Sequence, residues 1–344
     1  MQVQPVKRKA SKFWLYGPTA LLIILVAGWC GGWFYMRGKV EEATQNFLTV
    51  EAMRGRVWDC PNRTIGGFPF RFEVSCESFA YTAGNTRVTL GPTKVVTQVY
   101  NPRHMIVEAT GPMEFTDGNV SGTGNWKSLE ASISGLNKGG FERIALVAEQ
   151  SNVRISGLPE VATVEASSNN SEIHIRLAPD NNPVMQSFDV AINVSGAVIP
   201  LMNARMGDDA PLDVDALATF VNFPKLRGGE PANVILEMWR VVGGSVKLQK
   251  LDTRKGLRIL NVQAELGLDE EHRLKGSVDI AQANYSDLMA RLTSGNQEPR
   301  PLQPLPADAA KTAVVALPKV VLTNGRIRIG GMFDVPKVRL APLY

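Results

Sequence analysis

The chain has 344 residues, 44% of them hydrophobic and 20% charged, with three cysteines and three histidines. Its 37 Lys and Arg exceed its 33 Asp and Glu, but residues 1–39 hold six of the basic residues and none of the acidic ones. Residues 40–344 therefore carry 31 against 33, a net of −2, so the basic balance belongs to the first segment and gives no ground for a nucleic-acid partner.

Residues 1–12 form a basic stub with Lys7, Arg8, Lys9 and Lys12, and residues 13–36 contain no charge. At about 1.5 Å per residue those 24 positions span ~36 Å, enough for a hydrocarbon core of ~30 Å, so they predict a transmembrane helix. Trp14 and Tyr16 at one end and Trp29, Trp33 and Tyr35 at the other supply interfacial belts. The positive flank predicts a cytoplasmic amino terminus, with everything after residue 37 exported. A cleaved signal peptide fits less well, because the apolar run is long and lacks an A-x-A-like site. Trp29 is too bulky for lipoprotein cleavage before Cys30. Apolar residues at Val40, Ala43, Phe47, Val50 and Met53 then follow helical spacing, predicting a juxtamembrane helix over 37–55.

In an oxidising compartment, Cys60 and Cys76 read as a disulfide closing a loop of about 16 residues. Metal binding by the pair would need further ligands, and no histidine is near. Inside the loop Phe68, Phe70 and Phe72 alternate with Pro69 and Arg71, which predicts three rings on one strand face. Two readings follow: a core-facing strand stapled at its base, or the lining of an apolar groove. Arg71 is either an ion-pair partner or a contact for anionic lipid headgroups.

From residue 56 to 344 strand patterns dominate. Met105, Val107 and Ala109 alternate, as do Ile144, Leu146 and Ala148, then Ile173, Ile175 and Leu177; the longest row is Leu260 to Leu268. Asp117-Gly118 and Asn324-Gly325 signal two-residue hairpin turns. Short helices are expected over 231–242, stopped by Gly243-Gly244, and over 284–293; residues 295–311 read as a proline-rich loop. The fold class expected is mainly β (α+β), a transmembrane helix followed by one large curved antiparallel sheet, with a soft boundary at 200–211.

The charged stub, Trp14 to Pro18, Trp33, the block Cys60, Arg63, Ile65, Gly67 to Arg71 with Cys76, then Trp239-Arg240, Gly243-Gly244 and Leu322 to Gly330 together resemble an alphaproteobacterial family of unknown function, domain-of-unknown-function family 2125. The run 295–318 departs from that pattern. The resemblance implies an inner-membrane-anchored periplasmic protein. The organisation is also similar to AsmA-like envelope proteins, whose long curved sheets are associated with lipid handling, an analogy of architecture alone.

Catalytic chemistry finds little support. His104, His174 and His272 lack metal-ligand spacing, and no H-E-x-x-H or P-loop occurs. Gly122-Thr123-Gly124 lacks the third glycine of a dinucleotide fingerprint, and Asp213 and Asp215 read as a solvated strand face. The sequence thus points to no catalytic residue, metal or cofactor. It points to membrane as a partner, with a lipid or apolar envelope component bound or shielded by the sheet. A scaffold for an envelope protein complex is the alternative, and a periplasmic hydrolase a third reading.

Overall fold

The computed structural model describes residues 12–136, 140–158, 161–179, 185–225, 230–283, 318–330 and 333–344. The expected helix at 284–293 and the proline-rich loop at 295–311 lie outside them. Helix α1 (Lys12–Met53) runs unbroken for 42 residues, about 63 Å, joining the apolar span and the amphipathic stretch in one rod. It is the one helix among the described residues long and apolar enough to cross a membrane.

Among the described residues, twenty strands follow and join one open antiparallel sheet. The first ten are paired in line as halves of longer strands: β1 (Arg56–Asp59) with β2 (Thr64–Gly66), β3 (Arg71–Cys76) with β4 (Phe79–Ala83), β5 (Thr86–Leu90) with β6 (Thr93–Gln98), β7 (Asn101–Ala109) with β8 (Met113–Asp117), and β9 (Val120–Asn125) with β10 (Ser128–Ser134). Each half pairs with the corresponding half of the next strand, as β2 does with β3 and β1 with β4. Both β9 and β10 end on β11 (Arg143–Leu158). From there the sheet is a simple meander: β12 (Val161–Leu177), β13 (Gln186–Ala197), β14 (Leu212–Phe223), β15 (Ser245–Lys255), β16 (Arg258–Leu268), β17 (Leu274–Ala283), β18 (Val320–Thr323), β19 (Arg326–Ile329) and β20 (Phe333–Arg339).

The interruptions line up across the sheet as a transverse crease. It passes from Cys60–Arg63 through Glu77 and Gly91-Pro92 to Thr110–Pro112 and Trp126. Bonds cross it: Glu77 N–H donates to Pro61 (3.4 Å), Gly91 N–H to Pro112 (3.2 Å) and Thr110 N–H to Pro92 (2.9 Å). The Trp126 indole donates to the Ala109 carbonyl at 2.7 Å. Proline removes a ladder donor, so Gly-Pro steps break strands without reversing them. The Cys60–Cys76 disulfide closes the end of this crease.

Among the described residues, two short helices stand in the connections after β13 and β14. Helix α2 (Pro200–Met206) starts on proline and ends at Gly207 in the left-handed region. Residues 200–211 do not interrupt the sheet, because β13 and β14 pair directly on either side of them. Helix α3 (Ala232–Val241) buries Trp239, whose indole donates to the Val221 carbonyl at 2.9 Å. The Asn324-Gly325 turn has positive φ at both residues, as a type I′ hairpin requires. At the other expected turn Asp117 pairs with Val120, so Gly118-Asn119 make the loop, one residue later than anticipated.

Candidate functional site: the helix-docking block and the apolar face

The block from Cys60 to Cys76 is where the sheet meets α1. Arg63 donates to Glu41 (2.5 Å) and Gln45 (3.2 Å) of the helix. Trp33, only 5% exposed, donates to the Arg71 carbonyl at 3.1 Å. Its ring stacks on Phe72 at 5.6 Å and meets Phe68 edge-on at 5.3 Å. Trp29 donates to the Pro69 carbonyl at 3.0 Å and lies 6.1 Å from the Phe70 ring. Further up, Phe47 packs on Trp58 and Glu51 pairs with Arg56 at 2.5 Å. Helix α1 thus lies along the first strand and shields an edge that would otherwise offer unpaired backbone groups.

The three phenylalanines do not form one strand row. Strand β3 begins at Arg71, and residues 68–70 form a turn that places only Phe72 in the ladder. Gly67, at φ +95°, starts that turn, and its carbonyl accepts from the Arg71 N–H at 3.1 Å. Phe72 is buried, whereas Phe68 and Phe70 are 50% and 61% exposed. The Arg71 guanidinium pairs with Glu73 and shares a polar cleft of about 300 Å³ with Lys94, His104 and Glu108.

A second feature emerges only from the register. Residues directly opposite in an antiparallel ladder share a face. One unbroken cross-strand row runs Ile65, Val74, Val95, Val107, Ala131 and Leu146. It continues through Ile173, Ile192, Ala216, Leu251, Val262 and Ile280. Twelve strands at about 4.8 Å spacing make an apolar path of ~50 Å. It starts at buried Ile65; the later members are half-buried, and Ile173 is 36% exposed. Among the described residues, α1 covers the first strand and α2 touches β12; the other principal contacts are between neighbouring strands. Beside the row, Phe141, Ile175, Phe188, Val190, Phe220 and Phe223 line an open cleft of about 390 Å³. Phe188 packs against Phe141 at 6.0 Å and Phe223 at 5.9 Å.

The opposite face is polar and laddered by charge. Arg176 pairs with Asp189 at 3.0 Å, and Asp189 also accepts from Thr219 at 2.7 Å. Lys250 bridges Asp215 (2.6 Å) and Asp252 (3.5 Å). Asp213 accepts the Gly196 N–H at 2.9 Å, so Asp213 and Asp215 serve the strand ladder. Gly122 is a packing position, since a Cβ there would lie 2.2 Å from the Phe115 ring.

His174 stands on the polar face beside Glu172 at 3.3 Å, and His104 bonds Ser134 at 2.8 Å. His272, in the turn between β16 and β17, stacks on Tyr344 at 4.4 Å. Its Nε2 lies 3.3 Å from Glu237. Among the described residues no three His, Cys, Asp or Glu side chains gather as a metal site.

A long apolar helix docked by tryptophans along the first strand of an open sheet with one greasy and one charged face defines the class. The chain belongs to the family described as an uncharacterized protein conserved in bacteria (DUF2125), whose model matches residues 33–335. No curated protein and no solved structure matches it.

Proposed function

We propose that this is a non-catalytic protein of the bacterial inner membrane, anchored by α1, whose periplasmic sheet binds or shields the apolar part of an envelope lipid. The twelve-strand apolar row carries this reading. A face that long and only half-buried retains a large hydrophobic driving force for a further occupant, at about 25 cal/mol per Å² covered. The aromatic cleft around Phe188, about 390 Å³, offers an apolar lining of the kind an alkyl chain takes, and the architectural similarity to AsmA-like proteins points the same way. In this reading Arg71, next in sequence to the exposed phenylalanines and paired with Glu73, meets the headgroup. The cysteine pair and the basic stub before the apolar run support a periplasmic sheet.

A scaffold for an envelope protein complex is the second reading, favoured by the same exposed face if its occupant is a polypeptide. A photo-crosslinking residue at Ile192, on the row, and another at Asn193, on the polar face, separate them in intact membranes. The lipid reading expects lipid adducts at 192 and none at 193. Stoichiometric protein adducts at 192 would establish the scaffold, and the absence of any adduct there would remove both.

A further inference from the structure

Resting on the reading of α1 as a membrane span, we propose that the turn Phe68-Pro69-Phe70 enters the bilayer beside the helix, a second membrane contact that holds the start of the apolar row at lipid level. The uncharged run of α1 ends at Met36. Trp29 lies seven residues before that end, about 10 Å down the helix axis. Its indole bonds Pro69 and its ring meets Phe70, so the turn sits at the depth of Trp29, below the boundary marked by Arg37.

Chemistry at the turn suits that depth. Residues 65–70, Ile-Gly-Gly-Phe-Pro-Phe, carry no charge. Phe68 and Phe70 leave half or more of their surfaces uncovered by protein. Entry into lipid demands that backbone polar groups be bonded internally. The carbonyls of Gly67 and Phe70 accept from the N–H groups of Arg71 and Val99, at 3.1 and 3.0 Å. Those of Pro69 and Arg71 accept from the two tryptophans. Pro69 has no N–H to bury. Tyr100, 70% exposed in the adjoining turn, offers a ring with a polar tip suited to the interface. Arg71 is the first charge after the turn.

The test uses the full chain in lipid nanodiscs, with Cys30→Ala and the Cys60–Cys76 disulfide intact. A single nitroxide label is placed in turn at Ile24→Cys, Phe70→Cys and Val57→Cys. Val57, 50% exposed, is an apolar position next to Trp58, whose ring packs on Phe47 about 27 Å further along α1. Relaxation by oxygen, which partitions into lipid, is compared with relaxation by a water-soluble nickel chelate. Labels at 24 and 70 should favour oxygen and the label at 57 nickel, with Phe68→Ser lowering the oxygen preference at 70. Nickel preference at both 70 and 57, with oxygen preference at 24, would overturn insertion and leave the anchor standing. Nickel preference at 24 would remove the anchor and the insertion together.

Discussion

The indole of Trp33 lies nearly parallel to the ring of Phe72, 21° apart in plane, while its N–H bonds the carbonyl of the neighbouring Arg71. One side chain of the helix therefore fixes both the distance and the roll of the first strands. Trp33→Ala should destabilise the fold by about 3–5 kcal/mol, the range for deleting a buried large aromatic. Trp33→Phe should cost less, since it keeps ring contact and loses the hydrogen bond. Denaturant midpoints in detergent check this; equal midpoints for wild type and the alanine variant would show that the helix is not docked.

The Cys60–Cys76 disulfide spans 16 residues of sequence and holds the two strands on which α1 rests. Reduction, or Cys60→Ser with Cys76→Ser, should lower stability by about 3 kcal/mol. Thermal melts with and without reductant measure it, and the double variant should be insensitive to reductant.

Gly244 has the Trp239 ring so close that an added Cβ would lie 2.2 Å from its Cδ1 and Nε1. Gly244→Ala should therefore displace α3 and cost about 1–3 kcal/mol or more, as overpacking does. Loss of the buried tryptophan's blue-shifted emission should accompany it. An alanine variant with unchanged emission and melting would refute the close packing.

Glu237 accepts from Arg240 at 2.8 and 2.7 Å and from the Tyr344 hydroxyl at 2.9 Å. Chiefly through Arg240, its carboxyl is held down from 4.5 to about 2. A depressed folded-state value means that this stabilisation is complete above about pH 4.5 and is lost as pH falls towards 2. The side chain is 40% exposed, so solvent screening keeps the effect small. Glu237→Gln should flatten the dependence of the unfolding midpoint on pH between 4.5 and 2. Parallel curves would contradict this.

Features that depend on local pattern were legible in the sequence. The alternation of Ile144 to Ala148 and Ile173 to Leu177 places β11 and β12, and Asn324-Gly325 marks its own turn. The disulfide follows from spacing and compartment. What stayed hidden depends on contacts remote in sequence. That Gly91-Pro92 and Gly111-Pro112 are breaks within continuing strands shows only once the neighbouring strands are seen to break at the same level. Phe68 and Phe70 keep period two with Phe72, yet Gly67 and Pro69 turn the backbone before the ladder begins. The docking of Trp29 and Trp33 has no local signature, since their partners lie some forty residues on. The apolar row needed the register of twelve strands before its length could be seen.

Lipid binding along the apolar row is measured by the lipid the protein retains when released from nanodiscs and weighed intact by native mass spectrometry. Wild type should keep bound lipid that is lost in Ile192→Asp, where a charge enters the middle of the row, with Asn193→Asp on the opposite face leaving it unchanged. Equal retention by wild type and Ile192→Asp, or no retention by either, would contradict the account.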